Sequence, residues 1–513
     1  MTEASGEPDA SGTTFRPAGW GEGLLNWLLL VAYSLVQSPV PGVNEPHYLT
    51  KARHFWRPEW CAGDLFLESA NTHWLFYATL GSLAAVLPLT AAAVIGRLVA
   101  MGLLAAGWTL LVRRLSGGTP ATIASLAAFL MLATLGNWSG EWIVGGVESK
   151  VPAYGLGLIG VAMLLDSRIL AAGVAIGLAV AFHPLVGGWL TVAVAAAIAW
   201  GCVRGEVRFD VPNADWAKGA AAFALCALPG LVPAVSLLLT ADPAEAAAAT
   251  RIQVIERLPH HLNPRAFARA DHRLFALLLL LLMVLSPTSR SREWTFWRRT
   301  VVASLAIAAV GLLAAAGPGE LTALPAAGLR LTVLKFYLFR LADVLVPFTV
   351  AVLLARRLPP GGWRRWAIVA ATIAASLVVP GVNREAGRLP PDRQQRWLDV
   401  CEWVRRETDP HAVFQTYGQA AAFKWHAQRP EYLNFKDMPQ DAASLVEWQR
   451  RRELVQDWPR RWTGESYSQA ALDDLHARTG IDYLITPAGV PFDVPALKQN
   501  SLYQVIPTQP VAD

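Results

Sequence analysis

Eleven apolar runs constrain this chain more than any other feature. They fall near residues 24–40, 90–112, 120–136, 151–166, 169–182, 184–202, 217–240, 273–287, 299–316, 332–355 and 363–380. A helix needs roughly 20 apolar residues to cross a bilayer, with tolerance down to about 17. Repetition on this scale predicts an α-helical polytopic membrane protein, and composition agrees: 54% of the 513 residues are hydrophobic and 16% charged. The net charge of +5 comes from Lys and Arg in short loops, which reads as a topology signal rather than a nucleic-acid footprint.

The positive-inside rule orders the runs. The basic loops "SRSREWTFWRR" (289–299), "RRLPPGGWRR" (356–365), "RRL" (113–115) and "RGEVR" (204–208) share one side if all eleven runs cross and "WLFYATLGSLAAVLPL" (74–89) does not. That segment is expected to lie in the outer leaflet. The N-terminus is then cytoplasmic and the C-terminus outside. Residues 1–20 are polar, lack a cleaved-signal pattern and read as a disordered tail. Residues 21–380 make the membrane domain. From 381 the charge density rises and no apolar run is long enough to span. Helical patterns at 390–410, 441–456 and 468–480 alternate with strand-like "AVFQTY" and "DYLITP" (482–487), predicting a small extracytoplasmic α/β domain. Cys61, Cys202, Cys226 and Cys401 show no metal-ligand spacing, and only Cys61 and Cys401 share the outer side, where they could meet.

The outer face holds the chemistry-bearing residues. In "PGVNEPHYLTKARHFWRPEW" (41–60), Asn44 is a good N-cap and Glu45 and Pro46 suit a first helical turn. His47, Lys51 and His54 recur on one face of that helix, opposite Tyr48, Phe55 and Trp56. One reading is an interfacial helix whose basic stripe touches anionic lipid. The other is a site, because Glu45, Asp64 and Glu68 group their carboxylates beside the membrane, as acceptor deprotonation or divalent-metal binding requires. A second outer loop carries Glu141, Glu148 and Lys150, which are costly near helix ends unless paired or hydrated. A third, "RIQVIERLPHHLNPRAFARADHR" (251–273), is cationic on the outer side and suits an anionic ligand through Arg257, His260 and His261. Lys335, Arg340 and Asp343 interrupt an apolar span, Lys335 and Arg340 near its outer end, where a structural ion pair with Asp343 is the plainer reading. No metal site is expected at His260 and His261, since adjacent residues rarely reach one ion. No GxxxxGK[ST], GxGxxG or GxSxG occurs, so nucleotide-driven transport, dinucleotide chemistry and a serine-hydrolase elbow lack support.

Together these features resemble the GT-C superfamily of membrane glycosyltransferases. "NEPHYLTKARHFW" is similar to that family's Asp-Glu-x-x-Tyr-x-x-x-Ala-Arg pattern at Glu45, Tyr48, Ala52 and Arg53. The apolar juxtamembrane segment, the acidic second loop and the outer α/β domain are similar too. "RLPHHLNP", "HPLVGGW", "FRLADVLVPF" and "NFKDMPQD" look most like a bacterial group of GT-C-like membrane proteins. The chain departs from the pattern at Asn44, where the family has Asp, and at the missing Pro-Pro-Leu before the second helix. The resemblance implies sugar transfer from a polyprenyl-phosphate donor on the outer face. It implies Glu45 as base or metal-organising group with Asp64 or Glu148 assisting, and Arg257, His260, His261 and Lys335 on the donor phosphate. His47, Lys51, Arg53, His54, His73, Glu141, Lys150 and Arg340 complete the expected substrate-binding set. The cofactor is left open, a divalent cation among the options. The expected partners are membrane lipids and the lipid-linked sugar, with no nucleic acid. A non-catalytic binder of lipid-linked glycan and a transporter are the alternatives.

Overall fold

The fold comes from a computed structural model, which describes residues 20–204, 211–287, 291–382, 389–417, 422–462 and 464–510. The expected N-terminal tail, most of the 204–208 basic marker, the start of the 289–299 marker and residues 383–388 at the head of the expected extracytoplasmic domain lie outside the described residues.

Every apolar run becomes helix, with ends set by local chemistry. The first is α1, Trp20–Gln37. The long connection that follows holds α2 (Glu45–Trp56), α3 (Leu65–Glu68), α4 (Trp74–Ala78), a 3-10 turn and α5 (Leu83–Val86). Residues 74–86 are therefore broken short turns packed on α2, far below spanning length. The bundle continues with α6 (Leu89–Ser116), α7 (Thr119–Leu135), α8 (Lys150–Leu165), α9 (Ile169–Phe182), α10 (Pro184–Arg204) and α11 (Asn213–Thr240). Gly117, at φ 81°, closes α6, as a left-handed C-terminal residue commonly does. A second long connection holds α12 (Pro243–Arg251), a π-helical turn to Arg257 and α13 (Pro259–Leu262). Then come α14 (Arg269–Leu285), α15 (Arg292–Ala315), α16 (Ala327–Leu334), α17 (Arg340–Ala355) and α18 (Gly362–Val382). The run at 332–355 is thus two helices, broken at Lys335–Phe339. Among the described residues, five helices (α6, α10, α11, α15 and α18) are long and apolar enough on their own to cross a membrane. The protein is a helical membrane protein.

Helix α9 has only 14 residues, about 21 Å at 1.5 Å per residue. Its place rests on packing between α8 and α11. A Cβ on Gly173 would meet the Gly219 carbonyl oxygen of α11, and one on Gly177 the Phe223 carbonyl oxygen at 2.6 Å. Small residues let membrane helices approach this closely, where hydrocarbon offers no hydrophobic drive.

The basic loops meet at one end. Arg113 pairs with Glu22, Arg114 with Asp166, and Arg356 and Trp294 both donate to the Leu115 carbonyl. The acid- and histidine-bearing loops gather at the opposite end.

The last part is a small sheet between helices. Strands β1 (Phe414–Thr416), β2 (Tyr483–Pro487), β3 (Lys498–Gln499) and β4 (Tyr503–Pro507) lie in the order β1-β2-β4-β3, with β1 parallel to β2 and the other pairs antiparallel. Alternation along each strand puts Ile485 and Val505 against Trp397, Val400 and Val404 of α19 (Pro391–Glu407), and Leu484 and Ile506 against Leu472 and Leu475 beyond the other face. Helices α20 (Phe423–Ala427), α21 (Ala442–Asp457) and α22 (Gln469–Thr479) fill the crossover. Met438, Leu445 and Trp448 of this region pack on Ala249 and Ile252, tying it to α12. Cys61 and Cys401 are both buried free thiols, not a disulfide.

Candidate functional site

A cavity of about 860 Å³ opens where the loops that the charge rule assigns to the outer side meet the segment 422–437. Its lining includes Asn44, His47, Glu148, Arg257, Lys436 and Asp437. Residues from the first, second and third outer loops and from the C-terminal region thus converge, although His47 and Asp437 lie 390 residues apart.

Glu45 is not in that lining. It is fully buried, and its two oxygens take four hydrogen bonds: from Arg97 Nε at 2.6 Å and Nη2 at 2.7 Å, from Gly42 N at 2.7 Å and from Val147 N at 2.9 Å. A carboxylate so saturated has no free lone pair for an acceptor hydroxyl or a metal. The structure moves Glu45 from the expected base to a strut that clamps α6, the turn before α2 and the second outer loop. The loop can approach because residue 146 is glycine, where a Cβ would stand 2.5 Å from Glu45 Cγ.

Asn44 sits at the cap position of α2, but its amide is used elsewhere, donating to Glu148 Oε1 at 2.9 Å. Glu148 Oε2 lies 3.1 Å from Lys150 Nζ. Behind it, Glu141 binds Arg340 Nε at 2.8 Å and the Tyr154 hydroxyl at 3.2 Å, with Lys150 at 4.0 Å. Arg340 is therefore not paired with Asp343. The Asp343 carboxylate accepts instead from the backbone of Trp138, Ser139 and Glu141 and from the Ser139 hydroxyl, holding the second loop on α17.

The basic stripe of α2 faces protein, not lipid. Lys51 is 2% exposed and donates to the Phe66 and Ser69 carbonyls. His54 bonds the Trp60 carbonyl. Arg53 donates to the Ala84 and Leu87 carbonyls, fastening α5. Asp64 caps α3, accepts from Glu431 N and pairs with Lys424 at 3.0 Å. None of these four lines the cavity, and neither do His73, Glu141, Lys150, Lys335 or Arg340. Lys335 reaches Thr250 Oγ1 at 3.5 Å and lies 5.5 Å from the centre of the Phe336 ring. Of the expected set, His47, Glu148, Arg257, His260 and His261 do line it.

The C-terminal contribution escaped sequence reasoning. Lys424, 3% exposed, sits among Asp437 at 2.7 Å, Asp64 at 3.0 Å and Glu431 at 3.2 Å. Asp437 also accepts from His47 Nδ1 at 3.0 Å. Burial opposes its charge, yet Lys424 and His47 hold the Asp437 carboxyl below its ordinary value. Arg257 donates to the Phe435 carbonyl at 2.8 Å with its guanidinium 4.5 Å from the Phe435 ring. Among the described residues Arg257 has no ion pair, and the Lys436 ammonium has neither ion pair nor hydrogen bond. The signal available was "NFKDMPQD", two acids and two amides around a lysine in a loop.

Among the described residues no group of three or more His, Cys, Asp and Glu converges as a metal-ion site, and Glu148 already accepts from Asn44 and Lys150. This donor set does not fit a divalent cation.

Burial pushes His73 and His261 down to about 3. A depressed histidine pKa means the unfolded chain binds more protons between about 6.5 and 3, so stability rises with pH across that window and falls on acidification. Each group should cost about 2 kcal/mol on going from pH 7.5 to 5. We expect a melting temperature clearly lower at pH 5, measured in detergent; a flat or rising profile contradicts neutral burial of these rings.

A family model described as a domain of unknown function (DUF6798) matches residues 395–455, from α19 through most of α21. No curated protein matches the sequence. Among solved structures, the chain is similar to ArnT from Cupriavidus metallidurans bound to undecaprenyl phosphate, at 10% identity and a TM-score of 0.42, covering 96% of this chain and 99% of that one. The same protein in the apo state matches at 12% identity and a TM-score of 0.40, covering 95% and 97%. The arabinofuranosyltransferase AftD from Mycobacteria matches at 16% identity and a TM-score of 0.45 over 92% of this chain, which spans 35% of that one.

Proposed function

We propose that the protein is a membrane glycosyltransferase that moves a sugar from a polyprenyl-phosphate donor to an acceptor hydroxyl in this cavity, on the outer face of the membrane. The observation that carries the reading is the convergence on one cavity of two cations without an ion pair among the described residues, Arg257 and Lys436, with a hydroxyl-binding group, Glu148, and a proton-accepting one, His47. Transfer from a lipid phosphate needs charge stabilisation of the departing phosphate and a base for the acceptor. The cationic wall, with His260 and His261 beside it, serves the first need. Glu148, oriented by Asn44 and paired with Lys150, receives hydroxyls of the sugar or acceptor. Arg113, Arg114 and Arg356 gather at the opposite end, and the positive-inside rule, which favours the cytoplasm for such a cluster, supports an outer location for the cavity.

The test is release of undecaprenyl phosphate from a panel of undecaprenyl-phosphate pentoses and hexoses, with octyl glycosides as acceptors. Arg257→Ala is expected to lower kcat/KM about 100-fold, the scale of removing one preorganised donor to a developing anion. An unchanged kcat/KM contradicts this placement of the phosphate.

One observation favours a second reading, a non-catalytic binder of lipid-linked glycan: Asn44 replaces a carboxylate and Glu45 is locked to Arg97. That protein would bind the same donors and release nothing.

A further inference from the structure

The cavity wall contains a histidine–carboxylate arrangement that the sequence gives no hint of, since its members come from α2 and from the loop after α20. His47 Nδ1 and Asp437 Oδ1 are 3.0 Å apart, and both side chains are largely buried, at 15% and 10% exposure. Asp437 is an acceptor held charged by Lys424 at 2.7 Å, so Nδ1 carries the proton it donates. That fixes the tautomer and leaves Nε2 as the ring's basic nitrogen. The Phe66 ring, tilted at 4.3 Å from the His47 ring, and Tyr48 at 5.4 Å hold the imidazole in place. Among the described residues Nε2 has no hydrogen-bond partner, and His47 lines the cavity.

Resting on the transferase reading above, we propose that His47 is the catalytic general base, with Asp437 as its positioning residue, in place of the acidic pair that Asn44 interrupts. Glu45 and Asp64, the acids of the first loop expected to act in catalysis, are excluded by geometry. Glu45 has all its lone pairs engaged, and Asp64 is spent on capping α3, on Glu431 N and on Lys424. Glu148 faces the cavity but already accepts from Asn44 and Lys150, which suits it to binding rather than proton removal.

His47 Nε2 takes the proton of the acceptor hydroxyl while that oxygen forms a bond to the anomeric carbon. The bond from that carbon to the phosphate oxygen breaks, and its electron pair leaves with the polyprenyl phosphate, whose charge Arg257 and Lys436 meet. The anomeric configuration inverts. The proton on His47 then passes to water in the cavity.

Charged and titratable groups facing the ring are Asp437 and Lys436 from the loop, Lys51 from its own helix and His73 from the first outer loop. Burial lowers the His47 pKa and Asp437 opposes the shift, so the free ring is neutral and able to accept a proton at pH 7.

The test uses the full-length protein in detergent with undecaprenyl-phosphate sugars and octyl glycosides. His47→Gln should lower kcat at least 100-fold with donor KM within threefold, and melting should stay near wild type because Asp437 keeps Lys424. The wild-type kcat/KM should fall at acid pH as one group is protonated, and Asp437→Asn should move that limb to lower pH. Wild-type kcat in His47→Gln overturns the proposal. Should the Gln variant fail to fold, the profiles decide: a limb unmoved by Asp437→Asn overturns it, and a shifted one supports it. Absence of any donor turnover in the wild type would instead sink the transferase reading, and this inference with it.

Discussion

Replacing Arg97 with methionine is expected to destabilise the protein by about 3–5 kcal/mol, the usual cost of stranding one member of a buried ion pair. Glu45 would be left fully buried with only the amides of Gly42 and Val147 to balance its charge. The effect should appear as a large drop in melting temperature. The double variant Arg97→Met with Glu45→Gln should recover part of it, since the stranded charge is then gone and the two sites are directly coupled. Glu45→Gln alone should likewise weaken the fold, with turnover falling only as folded protein is lost. A Glu45→Gln protein that melts like wild type and yet transfers no sugar would contradict the strut and return this residue to the chemistry. An unaltered melting temperature in Arg97→Met would do the same.

The second large effect is expected at Lys424. This one ammonium lies within 3.2 Å of three carboxylates, Asp64, Glu431 and Asp437, and Lys424→Met leaves all three in a buried site. The cost is again about 3–5 kcal/mol or more, because each uncompensated buried charge carries its own desolvation penalty. The loss should be local first. Asp64 belongs to the first outer loop, whereas Glu431 and Asp437 belong to the C-terminal segment, so the joint between them opens. Limited proteolysis should cut residues 428–440 in the variant and spare them in the wild type, while donor turnover drops with the loss of the cavity wall. A variant with wild-type protease resistance would show that the joint is held by the apolar packing of Met438 and Trp448 alone.

Much of the architecture was legible because bilayer thickness makes helices announce themselves. The charge rule further identified 74–89 as a segment that does not cross, and the broken turns from Trp74 to Val86 agree. The α/β character of the last part was legible from period and capping, as at α22, which ends on Gly480. The short strands β3 and β4 and helix α20 were not, since two to five residues carry too little pattern to separate strand, turn and loop.

The site was legible in composition and not in pairing. The outer loops of Glu148 and of Arg257, His260 and His261 were visible as polar residues where apolar ones are expected. What a sequence does not reveal is which charge meets which. Glu45 and Arg97 are 52 residues apart, and nothing local distinguishes a saturated carboxylate from a free one. Arg97 itself was a missed signal: an arginine two turns inside an apolar helix is costly and so has a partner. Lys424 and Asp437 escaped for a different reason. They lie in the C-terminal region, read as a separate extracytoplasmic domain, and their meaning appears only once the chain folds back over α2.

The most direct test of the single shared cavity is photolabelling of the purified protein with an undecaprenyl-phosphate sugar bearing a diazirine near the phosphate, followed by peptide mapping. We expect adducts in both 256–262 and 434–438, lost together in competition with unlabelled donor. Labelling confined to lipid-facing helices such as α11, or unaffected by competitor, would contradict the account.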